Sequence, residues 1–310
     1  MLILLCALLS LGACEREPAE TGTPFDGEAA RGYVKTQLDF GARVPGSEAH
    51  RKTGDWIAAQ MRQRADTVIE TRWNHVTAKG DTLPLRNVFA RFRPQATTRI
   101  LYVTHWDSRP VSDQAEDPAK RALPVPGAND GASGVGLFIA LGDVLKKTPP
   151  TIGVDLLFVD GEDYGTFGPP DVDVLIGSTY FAANMPKDYQ PIFGVLFDMI
   201  GDADLEIPQE GYSVERAPEV VARVWDTAKK LGYQRYFPPR TTTNITDDHI
   251  PLLDKGLRVI DVIDLDYLGP PGGSKPNYHH TPEDTLDKVS AQSLKIVGDV
   301  AYRLIVEAQD

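Results

Sequence analysis

Residues 156–165, LLFVDGEDYG, run four apolar residues into three carboxylates, Asp160, Glu162 and Asp163, before a glycine turn. Carboxylates crowded at that range repel, so one is protonated or a cation neutralises the group. The pattern recurs: apolar stretches end in His105 and Asp107 (YVTHWD), in Asp198 and Asp202 (LFDMIGD), and in Asp261 and Asp264 (VIDVID). PGANDGASG carries Asp130 just ahead of a helical segment, and YHHTPEDTLD supplies His279 and His280. Carboxylate oxygens with one or two imidazoles and no cysteine suit a catalytic zinc site, which keeps an open position for water or substrate. Taken singly, an Asp at a strand end is accounted for as a turn or helix-cap residue. Taken together, these groups argue for one shared site.

Such a set needs strands that end at one edge. Segments 67–76, 85–92, 99–105, 151–160, 193–201 and 257–264 read as strands, and 28–41, 47–65, 131–147, 177–185, 217–232 and 290–308 as helices. The alternation predicts a three-layer α/β/α domain with a central twisted, mostly parallel sheet and an antiparallel edge from the first two strands. In such sheets ligands bind outside the carboxyl ends of the strands, where the polar residues fall. The Gly-rich loop has no neighbouring Lys and offers a carboxylate where a phosphate needs a donor, which excludes a nucleotide. Its glycines instead let backbone approach a metal held by Asp130.

The chain has 310 residues, 42% hydrophobic and 25% charged, with a formal net charge of -12. That balance excludes nucleic acid as a partner, because phosphates call for a basic stripe. The opening MLILLCALLSLGAC is too short to span a bilayer and reads as a secretory signal peptide over residues 1–13. Leu11, Gly12, Ala13 and Cys14 resemble a bacterial lipobox, so Cys14 is the expected lipidation site, followed by a linker over 14–25 and a single catalytic domain over 26–310. This predicts a periplasmic, lipid-anchored protein, with Glu15 rather than Asp after the cysteine pointing to the outer membrane. Cys6 and Cys14 are the only cysteines, so the mature domain has no disulfide.

Seven blocks in order, HWDSRP, PGANDGASGVG, DGEDYG, IGSTYFA, FDMIGD, TDDHIPLL and HHTPEDTLD, resemble the animal-type glutaminyl-peptide cyclotransferases and their bacterial periplasmic relatives, a branch of the zinc aminopeptidase family. The resemblance implies that Asp130, Asp163 and His280 hold one zinc and that Glu162 is the general acid/base. It implies that Asp198 and Asp247 hydrogen-bond around the reacting centre, and that peptide or protein N-termini are the substrates. In the two-zinc aminopeptidases of the same family, His105 and Asp198 hold a second metal and Asp130 bridges both. All five ligand positions carry competent residues here, so the ligand set alone leaves cyclase and aminopeptidase open. An inactive lipid-anchored binding protein would have lost Glu162 or a ligand, and none is lost.

This chain departs from the animal enzymes in three places. Asp163 replaces their Glu, His279 replaces an aromatic residue, and Asp261 replaces a His. Tyr164, Phe167 and His279 are expected to wall the substrate pocket. Asp160 reads as a turn or supporting residue, His249 as a polar residue next to Asp247 rather than a ligand, and Trp106 and Trp225 as core. The sequon at Asn244 reads as an accidental tripeptide in a loop.

Overall fold

The computed structural model describes residues 23–265 and 277–309. The expected signal peptide, Cys14 and Glu15 lie outside the described residues. In chain order the main elements are α1 (Gly27–Phe40), α2 (Glu48–Arg62), β1 (Thr67–Val76), β2 (Thr82–Phe92), β3 (Arg99–His105), α3 (Ala132–Lys147) and β4 (Gly153–Val159). There follow α4 (Ile176–Asn184), β5 (Gly194–Asp198), α5 (Gly211–Arg216), α6 (Pro218–Lys230), α7 (His249–Asp254), β6 (Val259–Ile263) and α8 (Ala291–Glu307). Asp26, Ser47 and Ser290 cap α1, α2 and α8 by accepting a backbone N–H of the first turn. The helices α5 and α7, six residues each, are too short to show a helical period in the sequence.

The strands form one sheet in the order β1-β2-β4-β3-β5-β6. β3 pairs in parallel with β4 and β5, and β5 with β6, whereas β2 is antiparallel to both its neighbours. β1 therefore points the same way as the central strands, and β2 alone runs against them. Every residue of β3, β4, β5 and β6 is buried, as expected of strands covered on both faces. Alternate side chains serve two cores: Ile100 and Tyr102 of β3 join the larger core with α1, α2, α3, α6 and α8. Leu101 and Val103 join the smaller core with α4 and Leu252 of α7. The connection leaving β3 leads to β4 on one side, and the one leaving β4 returns to β5 on the other. The switch point therefore lies at the carboxyl end of β3, at His105.

Candidate metal centre and cavity

The register of the sheet sets the site. His105 lies opposite Val159 in the parallel ladder, so the residues after β3 run beside 160–163. There the carboxylate of Asp107 accepts the backbone N–H groups of both Glu162 (3.0 Å) and Asp163 (3.2 Å). β5 delivers Asp198 from the adjoining strand.

Asp130 arrives on the turn before α3. Gly131 adopts φ +84°, and a Cβ there would sit 2.6 Å from the Asp107 carbonyl oxygen and 3.0 Å from the His105 ring, so only glycine fits. The fully buried Arg43 donates to the carbonyls of Trp106 (2.9 Å), Pro126 (2.7 Å), Gly127 (2.6 Å) and Asp130 (3.1 Å). From the far end of the chain, Asp284 accepts the N–H groups of Asn129 (2.8 Å) and Asp130 (3.1 Å). That contact carries the HHTPEDTLD segment, and His280 with it, up to the turn.

The carboxylates and imidazoles interleave. His105 Nε2 is 3.1 Å from Asp130 Oδ1 and 3.1 Å from Asp198 Oδ1. His280 Nε2 is 3.3 Å from Asp163 Oδ1 and 3.6 Å from Asp130 Oδ2. Asp130 thus turns one oxygen to each histidine. Ligand atoms of His105, Asp130 and Asp198 lie within 4.8 Å of one another, as do those of Asp130, His279 and His280. Among the described residues Asp163 Oδ2 is buried without a hydrogen-bond partner, which is costly in a packed interior. A bound divalent cation relieves that cost, and the oxygen and imidazole donors suit zinc.

Electrostatics agree with such a site. Burial and then the charges of Asp163, Asp247 and Asp248 push the Glu162 carboxyl well above the usual range, against the opposing pull of His105. Burial works against protonated His280, yet Asp163, Asp113 and Asp130 raise it to about 10. Asp247 is likewise raised, by burial and then by Asp198 and Asp248.

These groups open onto a cavity of 810 Å³ whose lining includes Asp130, Glu162, Asp198, Asp247 and His280, with Phe167, Pro169, Pro170, Ile245 and Leu265. Phe167, His279 and Asn244 line it, as Phe167 and His279 were expected to do. Tyr164 does not. It packs with Trp73 against Leu83, Leu85 and Ile176, because the chain turns directly after Asp163 and sends the next side chain to the opposite side.

Asp160 also stands outside the cluster. It accepts the backbone N–H of Arg86 (2.7 Å) and pairs with His50 Nε2 (2.8 Å), whose ring stacks on Trp106 at 4.4 Å. His249 Nε2 lies 3.3 Å from Glu210 Oε2, within the buried layer. Asp261 is fully buried, and burial followed by the charges of Asp247 and Glu210 raises it well above the carboxylate range. Trp106 and Trp225 are buried core residues. Sequence reasoning assigned no role to Arg43, Arg109 or Asp284 and took Asp107 only as one of the acids that close strands; Asp107 and Arg109 lie in the block HWDSRP and Asp284 in HHTPEDTLD, whereas Arg43 stands outside all seven blocks.

Residues 87–305 match the model of Peptidase family M28. The chain belongs to that family and is an enzyme. The crystal structure of Porphyromonas gingivalis glutaminyl cyclase is 35% identical, superposes with a TM-score of 0.87, and covers 91% of this chain and 98% of its own. A Zn-dependent exopeptidase from Parabacteroides distasonis is 33% identical with a TM-score of 0.86 and the same coverages, 91% and 98%. The alkaline phosphatase isozyme conversion protein of Escherichia coli is 29% identical over 179 residues, 52% of this chain and 50% of that protein. The chain spans half the length or less of the first curated relatives it matches, 50% and 41%.

Proposed function

We propose that this protein is a zinc-dependent glutaminyl-peptide cyclotransferase, converting N-terminal glutamine of peptides to pyroglutamate with release of ammonia. The observation that carries the reading is the placing of Glu162, Asp198 and Asp247 together on the lining of one cavity beside Asp130 and His280. Three carboxylates there can receive a cationic α-amine and hold the proton taken from it. The similarity to solved glutaminyl cyclases over nearly their whole length supports the same reading.

In this reading Asp130, Asp163 and His280 hold the zinc, which when bound supplies Lewis-acid polarisation of the γ-amide carbonyl. Glu162 takes a proton from the α-amine, whose nitrogen forms a bond to the side-chain amide carbonyl carbon, Cδ. The bond from that carbon to the side-chain nitrogen breaks, and Glu162 returns the proton to the departing ammonia. Proton transfer by a positioned side chain contributes about 10²–10⁴-fold. Asp198 and Asp247 orient the amine and the Glu162 carboxyl. Phe167 and the neighbouring prolines shield the amide from water, and His279 walls the pocket beside His280.

A second reading has its own support. His105, Asp130 and Asp198 form a separate compact group, and if it held a second zinc, Glu162 would activate water for aminopeptidase hydrolysis. Zinc counted on purified protein, together with ammonia release from a glutaminyl peptide and amino-acid release from an aminoacyl anilide, separates the two. One zinc per chain with ammonia release is the expected result; two zincs with hydrolysis alone would overturn the cyclase. Attached through Cys14 to the outer membrane, the enzyme would meet its peptides in the periplasm.

A further inference from the structure

We propose that Arg109 and Asp113 form a clamp that sets which atoms of Asp163 and His280 are offered to the metal: Asp163 through Oδ2 alone, His280 through Nε2. This rests on the reading of those two residues as zinc ligands.

Arg109 is 4% exposed, and its guanidinium faces two carboxylates at once. Nη1 donates to Asp163 Oδ1 at 2.8 Å and to the Asp163 carbonyl at 3.3 Å. Nε and Nη2 donate to the two oxygens of Asp113 at 2.9 and 2.7 Å, a fork-to-fork pair. Oδ1 of Asp163 is thus shared between Arg109 and the His280 ring, whose Nε2 lies 3.3 Å away, while Oδ2 is buried and has no hydrogen bond among the described residues. A carboxylate so held binds a cation through one oxygen rather than two.

The same Asp113 turns Oδ1 toward His280 Nδ1 at 3.6 Å, a charge facing the ring beyond hydrogen-bond distance, and the Gln114 amide lies 3.4 Å from His280 Nδ1 and 3.0 Å from His279 Nδ1. A carboxylate facing Nδ1 keeps the proton there and leaves Nε2 for a metal, the usual outer partner of a ligating histidine. The backbone reinforces the clamp: Gln114 N–H donates to the His280 carbonyl (3.3 Å), and the Arg109 carbonyl accepts Val125 N–H (3.0 Å). Arg109 and Asp113 cancel in charge, so the clamp directs both ligands without adding net charge. A guanidinium buried this deeply costs more than a surface ion pair returns, which points to geometry rather than stability as its use.

The test measures zinc affinity by chelator competition, and the visible spectrum after cobalt substitution, on the full chain carrying Arg109→Met, Arg109→Lys or Asp113→Asn. Arg109→Met and Asp113→Asn are expected to bind zinc about 10–100-fold more weakly, as for lost outer partners elsewhere. Arg109→Met should also weaken the cobalt bands, because Asp163 Oδ1 becomes a second donor and raises the coordination number. Arg109→Lys, which keeps the charge without the fork, should fail to restore either. Zinc affinity and cobalt spectra like wild type in these variants, with zinc lost in Asp163→Asn and His280→Ala, overturn the clamp alone. Zinc retained in Asp163→Asn and His280→Ala overturns the ligand assignment and the clamp with it. Should the Arg109 variants fail to fold by thermal unfolding of the metal-free protein, Asp113→Asn decides, since the Asp113 side chain is 45% exposed.

Discussion

One carboxylate, that of Asp107, accepts the backbone N–H of Glu162 at 3.0 Å while its second oxygen accepts that of the adjacent Asp163 at 3.2 Å. The residue proposed to move the proton and the residue proposed to hold the metal are thus fixed by the same anchor. Asp107→Asn puts an NH₂ group opposite a backbone donor. Lost buried bonds to a charged group cost about 1.5–3 kcal/mol each, so denaturant unfolding should show a stability loss of that order. Turnover should fall with it, and a variant with wild-type kcat would remove Asp107 from any positioning role.

Glu162→Gln keeps the shape of the side chain and removes its basicity. Zinc content should stay unchanged while turnover drops by about 10²–10⁴-fold, read as ammonia release alongside metal analysis. Surviving activity would transfer the acid/base role to another carboxylate of the cavity.

Glu210 offers a pH signature away from the metal centre. It accepts the N–H groups of Tyr212 (2.7 Å), Ser213 (2.6 Å) and Ile245 (2.9 Å). Burial opposes its charge, but His249 and these hydrogen bonds hold its carboxyl down at about 2, against an ordinary 4.5. A carboxyl depressed in the folded state stabilises above its ordinary value and loses that contribution as pH falls through the folded one. Thermal unfolding of wild type and Glu210→Gln should therefore differ most near neutrality, and the gap should close between pH 4.5 and about 2. A gap that stays constant over that window would contradict the assignment.

Anchoring through Cys14 predicts that the wild-type chain sediments with membranes and incorporates labelled palmitate. Cys14→Ser should do neither and appear in the soluble periplasmic fraction. Equal fractionation of both forms would dispose of the lipid anchor.

Much of the frame was legible because each central strand is a short apolar run closed by an acid or, at His105, by an imidazole. Residues 99–105, 151–160 and 193–201 announce both their burial and the polar edge they reach. What the sequence concealed is long in range. Arg43 reaches Asp130 across 87 residues, and Asp284 reaches Asn129 across 155; neither contact leaves a periodic trace. An arginine in a polar turn looks like any solvated cation until the carbonyls around it are known. Tyr164 was placed on the cavity by adjacency to Glu162 and Asp163, but a turn sends neighbouring side chains apart, and it joins a small apolar cluster instead.

The bond from Asp284 to the amides of Asn129 and Asp130 also bears on when the protein becomes an enzyme. With 155 residues between donor and acceptor, a nascent chain that has already produced Asp130, Glu162 and Asp198 still lacks both His280 and the carboxylate that props the Asp130 turn. Until that late segment docks, the chain can neither bring His280 to the cavity nor prop the Asp130 turn.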